Sequence, residues 1–382
     1  MSGFSQRRPD QTASAMASEA LSTALLDAGL DRSEIDGLIV HIGSPRGADY
    51  DLAASALGLK VRFSAQPWSH GRFSGTVLQH AAMAIAAGLA SNVLCIAAYD
   101  NRRFGVHGSK ERPGFEESLR DGGGPHAEMP HVGLTGPVAG AAMAAQRYFH
   151  RYGVHPDGLG AVARACRRHA MLNPSALMRK PMSQEDYVAS RFIVEPLRLF
   201  DCSVLADGAV ALIISRSDRV PPQARPVHLL GFQGIHAGAD EFIFGQPGLG
   251  INQADIFDYD PQPERDHVYA MAGLSPSDVD ALYVYDAFSP LVLLTLERFG
   301  HCRPGEAMEF IQDGRIELGG TLPVNTNGGM LSEGHLNGWG HFIEIVRQLR
   351  GDAGERQIDG ARVAQWGTAI GDSILFGAAD AG

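Results

Sequence analysis

Ala28-Gly29-Leu30-Asp31-Arg32-Ser33-Glu34-Ile35-Asp36-Gly37-Leu38-Ile39-Val40 returns 244 residues later as Ala272-Gly273-Leu274-Ser275-Pro276-Ser277-Asp278-Val279-Asp280-Ala281-Leu282-Tyr283-Val284. Each copy reads as the end of a helix, a turn and a buried strand. The register is constant across the pair. Two such βαβ-rich halves imply two similar α/β units packed together, with a site at the seam where corresponding loops meet.

Outward from the first copy, the spacing of Ala17, Ala20, Leu21, Ala24 and Leu25 predicts a helix over 13–30, stopped by Gly29. Ser69-His70-Gly71-Arg72-Phe73-Ser74-Gly75 then feeds an alanine-rich helix over 76–87, and 92–98 reads as a buried strand. A glycine-rich loop entering a helix N-terminus suits a nucleophile elbow or an anion site. Residues 1–10 are polar and irregular, and 101–129, with Gly122-Gly123-Gly124-Pro125, read as a surface loop. Helices follow over 138–152 and about 158–170, the second ended by Asn173-Pro174. Arg164, Arg167, Arg168 and His169 on it read as a solvated helix face or as part of a binding surface. After a strand within 207–214, Ser217 to Pro226 has linker composition, and Val227 opens the second half.

The chain has 382 residues, is 45% hydrophobic and 20% charged, and carries a net charge of −11. That is globular composition with ample material for a core. The acidic balance argues against non-specific nucleic-acid binding and against a basic membrane-surface protein. Cys95, Cys166, Cys202 and Cys302 are too widely spaced for a metal or redox motif. No apolar run reaches membrane-spanning length, and no secretory signal is recognisable, so a reduced cytoplasm is the default compartment.

In the second half, Tyr285-Asp286-Ala287-Phe288-Ser289-Pro290 follows the repeated strand. Pro323-Val324-Asn325-Thr326-Asn327-Gly328-Gly329-Met330-Leu331-Ser332-Glu333-Gly334-His335-Leu336-Asn337-Gly338 leads into a helical pattern at Phe342, Ile343, Ile345, Val346 and Leu349. Paired glycines let backbone approach a ligand or another strand closely. His335 at this junction can donate a hydrogen bond or move a proton. On spacing alone it is equally a turn with an incidental histidine. Tyr285 likewise reads as a proton donor or as an aromatic capping the core.

These segments together resemble the thiolase superfamily, in its sterol-carrier and lipid-transfer-protein branch. The 323–338 stretch is similar to that family's Asn-x-x-Gly-Gly … Gly-His-Pro-x-Gly segment, with Leu336 in place of proline. Residues 167–176, 190–197 and 207–214 resemble its CoA-binding loop domain and the strand after it. The resemblance implies a five-layered αβαβα sandwich, an α/β thiolase fold of two duplicated halves. They would lie at 1–216, with a loop domain at about 101–200, and at 227–382. It also implies a strand ahead of Gly3, in the middle of the first sheet, and so a late start to the chain.

By this resemblance His335 belongs to an oxyanion hole and to proton transfer, and Tyr285 matches the first residue of the Asn-Glu-Ala-Phe or His-Asp-Cys-Phe motif. Backbone near Arg72 and Gly367 would complete the oxyanion hole, and Asn325, Gly328, Gly329 and Gly334 would contact substrate. The acyl-accepting cysteine of thiolases falls at Arg72, or at Gly71 with a one-residue slip, and the second cysteine falls at Gln365. No cysteine lies between Ser64 and Leu94. Thiolytic cleavage needs a thiolate to carry the acyl group; retro-aldol cleavage does not. The first expectation is therefore retro-aldol cleavage of a β-hydroxyacyl-CoA with a steroid-like or other bulky side chain. An acyltransferase with an atypical nucleophile and a non-catalytic acyl-CoA-binding subunit are the alternatives. CoA enters as part of the substrate, and no metal or organic cofactor is indicated. A homodimer and a separate OB-fold and zinc-ribbon protein are the partners that the resemblance implies.

Overall fold

The computed structural model describes residues 11–42, 49–67, 74–99, 137–235 and 266–379. The polar 1–10 segment, the 101–129 loop, Gly71 and Arg72 of the elbow and the expected strand ahead of Gly3 lie outside the described residues.

The repeat holds atom by atom. Helix α1 (Ala13–Ala28) starts where the Thr12 side chain accepts from the Ala15 N–H (3.2 Å) and buries Met16, Ala17, Ala20, Leu21 and Leu25 along one face. It ends at Gly29, whose φ of 65° only glycine adopts without strain. The Gly29 and Leu30 N–H groups then return to the Leu26 and Leu25 carbonyls, a Schellman closure. Helix α7 (Asp266–Ala272) ends identically: Gly273 has φ 68°, and Gly273 and Leu274 donate to Ala270 and Tyr269. Single 3₁₀ turns follow at Arg32–Glu34 and Pro276–Asp278, each with a reciprocal capping box. The next carboxylates also match. Asp36 accepts from the Ser91 and Asn92 N–H groups (2.8 and 2.9 Å), and Asp280 accepts from Arg362 and Val363 (2.7 and 2.9 Å). Each pins the start of one strand against its neighbour.

Among the described residues there are two four-stranded sheets and one two-stranded sheet. The first runs β2 (Phe63–Ala65), β1 (Gly37–Ile42), β3 (Asn92–Tyr99), β6 (Gly208–Ser215), with β1 parallel to β2 and β3 and β6 antiparallel. The second runs β7 (His228–Gln233), β10 (Ser373–Gly377), β9 (Val363–Gly367), β8 (Ala281–Val284), with β8 parallel to β9 and β10 antiparallel to both neighbours. Strands β1, β3, β8, β9 and β10 are buried at every residue, which explains their near-continuous apolar runs. Strand β7 precedes α7 as the expected extra strand would precede α1, and it lies at a sheet edge beside β10. In the second sheet antiparallel β10 fills the place between β7 and β9.

Helices α3 (Ser74–Ala86) and α10 (Trp339–Arg350) lie between the sheets, each touching strands of both. Helix α1 covers the outer face of the first sheet and α7 that of the second, giving the αβαβα order. Strand parity assigns the faces. Leu38, Val40 and Ile42 point to α1, while Ile39 joins the larger core between the halves, with Cys95, Ala97 and Tyr99 of β3. Helix α4 (Pro137–Tyr152), helix α5 (Gly160–Met171), helix α6 (Gln184–Ala189) and the β4–β5 hairpin (Phe192–Val194, Leu197–Arg198) form the inserted region, and α5 packs on the 329–333 turn.

Candidate active site

The parallel strands β1, β3 and β8 end on one side of the molecule, and the chemistry-bearing side chains gather there. Tyr285 follows β8 directly, and its N–H donates to the Gly367 carbonyl (3.3 Å). Tyr283, two residues earlier, faces inward against His341 and donates or accepts at Thr326 (2.7 Å). By the same parity Tyr285 faces the seam, 6% exposed. Its ring meets that of His335 edge-on, with centroids 6.2 Å apart. The two candidate side chains thus share one site.

His335 is held from three sides. Its N–H donates to the Val204 carbonyl (2.6 Å), its Nδ1 meets the Ser203 hydroxyl (2.8 Å) and its Nε2 meets Asn337 Oδ1 (2.7 Å). Burial lowers its pKa, against the upward pull of the Asn337 hydrogen bond and the Asp286 charge; His341 adds to the lowering. The imidazole is therefore neutral at neutral pH. The segment Ser203–Leu205 threads between the two site loops: Ser203 N–H donates to Ala287 and Val204 N–H to Met330.

Asp286 is the next residue in the chain after Tyr285. It is fully buried and accepts from the Met330 N–H (2.9 Å) and from His341 Nε2 (3.1 Å). It thus ties the Tyr285 loop to the single π-turn Gly329–Glu333 that delivers His335. Gly329 is required there: its φ is 64°, and a Cβ would lie 2.1 Å from Asp286 Oδ2. Below the turn, burial and the Glu344 charge push Glu333 up to about 8, while Asn173 and Asn327 donate to its carboxyl.

The other expected site residues sit in well-defined contacts. Asn325, 0% exposed and at φ 53°, accepts the Val284 N–H (2.7 Å) and donates to the Val284 carbonyl (3.1 Å). It clamps the residue before Tyr285. Gly328 packs against Ala170 of α5, so with Gly329 it shapes the loop. Gly334, at φ 150°, is the pivot between the π-turn and His335. Gly367, expected as an oxyanion-hole amide, packs its Cα face on Phe299 and Thr295 in the outer layer and anchors Tyr285 through its carbonyl. Gln365 shares that outward parity: Tyr269 donates to its Oε1 (2.9 Å), and His301 Nε2 lies 2.8 Å away. Its side chain therefore points away from His335. Arg167 corrects the solvated-face reading: it is buried, donates to Ser332 Oγ (3.1 Å) and to the Lys180 carbonyl (3.1 Å), and stacks over Phe200. Arg168, the more exposed neighbour, pairs with Glu317.

No thiol is placed as a nucleophile. Cys95 lies inside β3, and burial pushes its pKa up. Burial and the adjacent Asp286 carboxylate, 3.8 Å away, raise Cys166 well above the usual thiol range. Cys202 is pushed to about 12 by burial and Asp201, and Cys302 is raised by burial and Glu297.

The sequence reading missed Ser203, Asn337, Tyr99 and His41. The signal for His41 was present, because the 244-residue offset carries Tyr285 back onto it.

A family model described as Thiolase C-terminal domain-like matches residues 265–372. The chain is 35% identical to a steroid side-chain-cleaving aldolase of Thermomonospora curvata over 96% of this chain and 93% of that protein. It is 38% identical to the 17-hydroxy-3-oxo-4-pregnene-20-carboxyl-CoA lyase of Mycobacterium tuberculosis over 88% and 86%. Among solved structures, an Ltp2-ChsH2(DUF35) aldolase superposes with a TM-score of 0.84 at 32% identity, covering 99% of this chain and 96% of that one. Human mitochondrial 3-ketoacyl-CoA thiolase shares the fold, with a TM-score of 0.61 at 17% identity over 97% and 94%. The chain belongs to the thiolase superfamily, in its lipid-transfer-protein branch beside the steroid side-chain-cleaving aldolases.

Proposed function

We propose that this chain cleaves a β-hydroxyacyl-CoA by a retro-aldol step, releasing a ketone or aldehyde and a shortened acyl-CoA. The observation that carries the reading is the Tyr285–His335 pair at the seam, with no thiolate-forming cysteine beside it. The bulky, steroid-like side chain of the substrate comes from the names of the aldolase and lyase relatives.

The step needs a base for the β-hydroxyl proton, stabilisation of the enolate and a proton for Cα. His335 is neutral, so its Nδ1 lone pair takes the hydroxyl proton once the substrate replaces or relays through Ser203 Oγ. The O–H electron pair becomes the carbonyl π bond, the Cα–Cβ bond breaks, and its pair enters the thioester enolate. The Tyr285 hydroxyl hydrogen-bonds to the enolate oxygen, and the proton taken up by His335 returns to Cα, which restores the neutral imidazole as the product leaves. The chemistry calls for no cofactor beyond the CoA of the substrate.

The cytoplasm, a homodimer and a separate partner protein complete the proposal. The partner rests on the assembly named in the Ltp2-ChsH2(DUF35) aldolase; among the described residues no helix is long and apolar enough to cross a membrane.

The test is product analysis by mass spectrometry. The purified chain, with and without a co-encoded partner, receives a branched β-hydroxyacyl-CoA, and separately a β-ketoacyl-CoA plus free CoA. A carbonyl product with a shortened acyl-CoA, and no consumption of CoA, is the expected result. CoA-dependent cleavage of the keto substrate would instead make the chain an acyltransferase, and retained CoA binding without turnover would make it a binding subunit.

A further inference from the structure

We propose that His341 is a positioning residue of the site: with hydrogen on both ring nitrogens it bridges Asp286, the neighbour of Tyr285, to Asn327, two residues ahead of the turn that delivers His335. It thereby fixes how Tyr285 and His335 meet. Both nitrogens are engaged by these partners, so His341 acts through them.

The hydrogens are placed by groups that can only donate. The Gly329 N–H donates to Asn327 Oδ1 (3.3 Å), which fixes the orientation of that amide. Its Nδ2 then faces Glu333 Oε2 and donates to it. His341 Nδ1 lies 3.2 Å from the same Asn327 Oδ1, so Nδ1 carries hydrogen. At the other end of the ring, Nε2 lies 3.1 Å from Asp286 Oδ1. The remaining groups bonded to this carboxylate are all donors: the Met330 N–H (2.9 Å), the Leu331 N–H (3.4 Å) and the Cys166 thiol (3.8 Å). A carboxylate ringed by donors is the acceptor in each contact, so the hydrogen between Oδ1 and Nε2 sits on the nitrogen. The ring is thus a donor at both ends.

The surroundings hold the bridge in place. His341, Asn327 and Asp286 are 1%, 1% and 0% exposed, so water does not compete for these groups. The imidazole stands in the first turn of α10, between the rings of Tyr283 and Trp366, with centroids 6.1 and 5.7 Å away. Nearby polar groups have partners of their own. Glu344, three residues along α10, pairs with Arg356 (2.8 Å), and the Tyr283 hydroxyl meets Thr326 (2.7 Å). The bridge also adds something that Asp286 alone does not supply. The Asp286–Met330 hydrogen bond holds the π-turn near its start. Through Asn327 the imidazole reaches Glu333, which ends the turn two residues before His335. A rigid helix between the two sheets therefore sets both loops at once.

The inference rests on the reading of Tyr285 and His335 as the reacting pair, but its first test needs no turnover. Histidine-selective ¹⁵N labelling of the full chain at pH 7, with His341 assigned through His341→Gln, reports which ring nitrogens carry hydrogen. Wild-type protein should show hydrogen on both nitrogens of His341; one bare ring nitrogen would overturn the inference. The second test is kinetic. His341→Phe keeps a ring between Tyr283 and Trp366 but removes both N–H groups. Its kcat should fall by about 10- to 100-fold at little changed KM, the scale of a reacting group displaced by a fraction of an ångström to one ångström. His341→Gln, whose amide can still donate, should recover part of that loss. A folded His341→Phe with wild-type kcat would overturn the positioning role, as would a kcat for His341→Gln no better than that of His341→Phe. Should His341→Phe fail to fold, the wild-type spectrum and the kcat of His341→Gln against wild type decide: unchanged kcat overturns the role. The His335 ring resonances should also shift in the 341 variants, as its contact with Tyr285 loosens. If wild-type protein shows no retro-aldol activity while His341 carries both hydrogens and the His335 resonances move in the variants, the proposed reaction fails and this inference stands.

Discussion

The two halves are built alike and employed differently. Both run helix, glycine cap, 3₁₀ turn, aspartate clamp and parallel strand in the same register. At the position just past the repeated thirteen, one half carries His41 and the other Tyr285. His41 is still inside β1, with one more residue of strand after it; Tyr285 is already off the end of β8. Two residues of strand length separate a side chain sealed among Tyr99 and Trp339 from one that meets His335 at the seam. The second half then adds a device with no counterpart in the repeat: the π-turn, tied down by Asp286, that swings His335 toward Tyr285. Duplication supplies the frame and a pair of facing strand ends; divergence in a few loop residues supplies the chemistry.

The largest effect should come from breaking that added device. Gly329→Ala puts a Cβ 2.1 Å from Asp286 Oδ2 at a φ of 64°. Both loops must shift, and we expect destabilisation of at least about 3 kcal/mol in urea unfolding, with activity lost. Native stability and turnover would show that Asp286 does not hold the two loops together.

Next is Asn325→Ala, which strips both hydrogen bonds from the Val284 peptide. A buried N–H and carbonyl left without partners should cost about 2–4 kcal/mol, read as a fall in the denaturation midpoint. If Asn325 instead serves substrate alone, KM rises and stability is unchanged.

The repeat itself is sharpened by a matched pair. Asp36→Ala and Asp280→Ala each leave two strand N–H groups without an acceptor. Each should cost about 1–3 kcal/mol, and the two values should agree within about 1 kcal/mol. A large disparity would mean that the halves share sequence register but not energetic roles.

The smallest effect is a pH slope. His169 on α5 donates from Nδ1 to the Asn325 carbonyl (3.2 Å) and accepts the Leu318 N–H at Nε2 (3.1 Å), an arrangement that only neutral imidazole satisfies. Burial is the main reason its pKa falls to about 4. The folded value lies below the unfolded one of about 6.5, so the unfolded chain binds the extra proton between them. Stability from this group is therefore complete above about pH 6.5 and is lost as pH falls toward 4. In His169→Gln the urea midpoint should depend on pH less steeply in that window, by about one proton. An unchanged slope would place His169 outside the acid response.

Much of this was legible in the sequence, and the reasons are specific. Apolar runs located β1, β3 and β8, and the offset located the halves, because both are one-dimensional properties of the chain. Tyr285 and His335 were legible because each ends a readable element. The outward orientation of Gln365 and Gly367 was not, since it depends on which face of β9 meets α7 and on the pairing with β8. The Asn325 clamp was not legible, because a buried asparagine that serves a strand's backbone has no local signature. Arg167 looked solvated because helical periodicity cannot show that the 329–333 turn, more than 160 residues on, covers it. Ser203 and Tyr99 become visible only once the seam has been assembled.

The most direct test of the account is single-turnover cleavage of a β-hydroxyacyl-CoA by Tyr285→Phe, with fold checked by circular dichroism and product identity by mass spectrometry. Removing one phenolic oxygen from the seam should slow carbon–carbon cleavage by about 100-fold or more while substrate still binds. Cleavage within threefold of wild type would contradict the central claim, because the reaction would then proceed without the side chain on which the two loops converge.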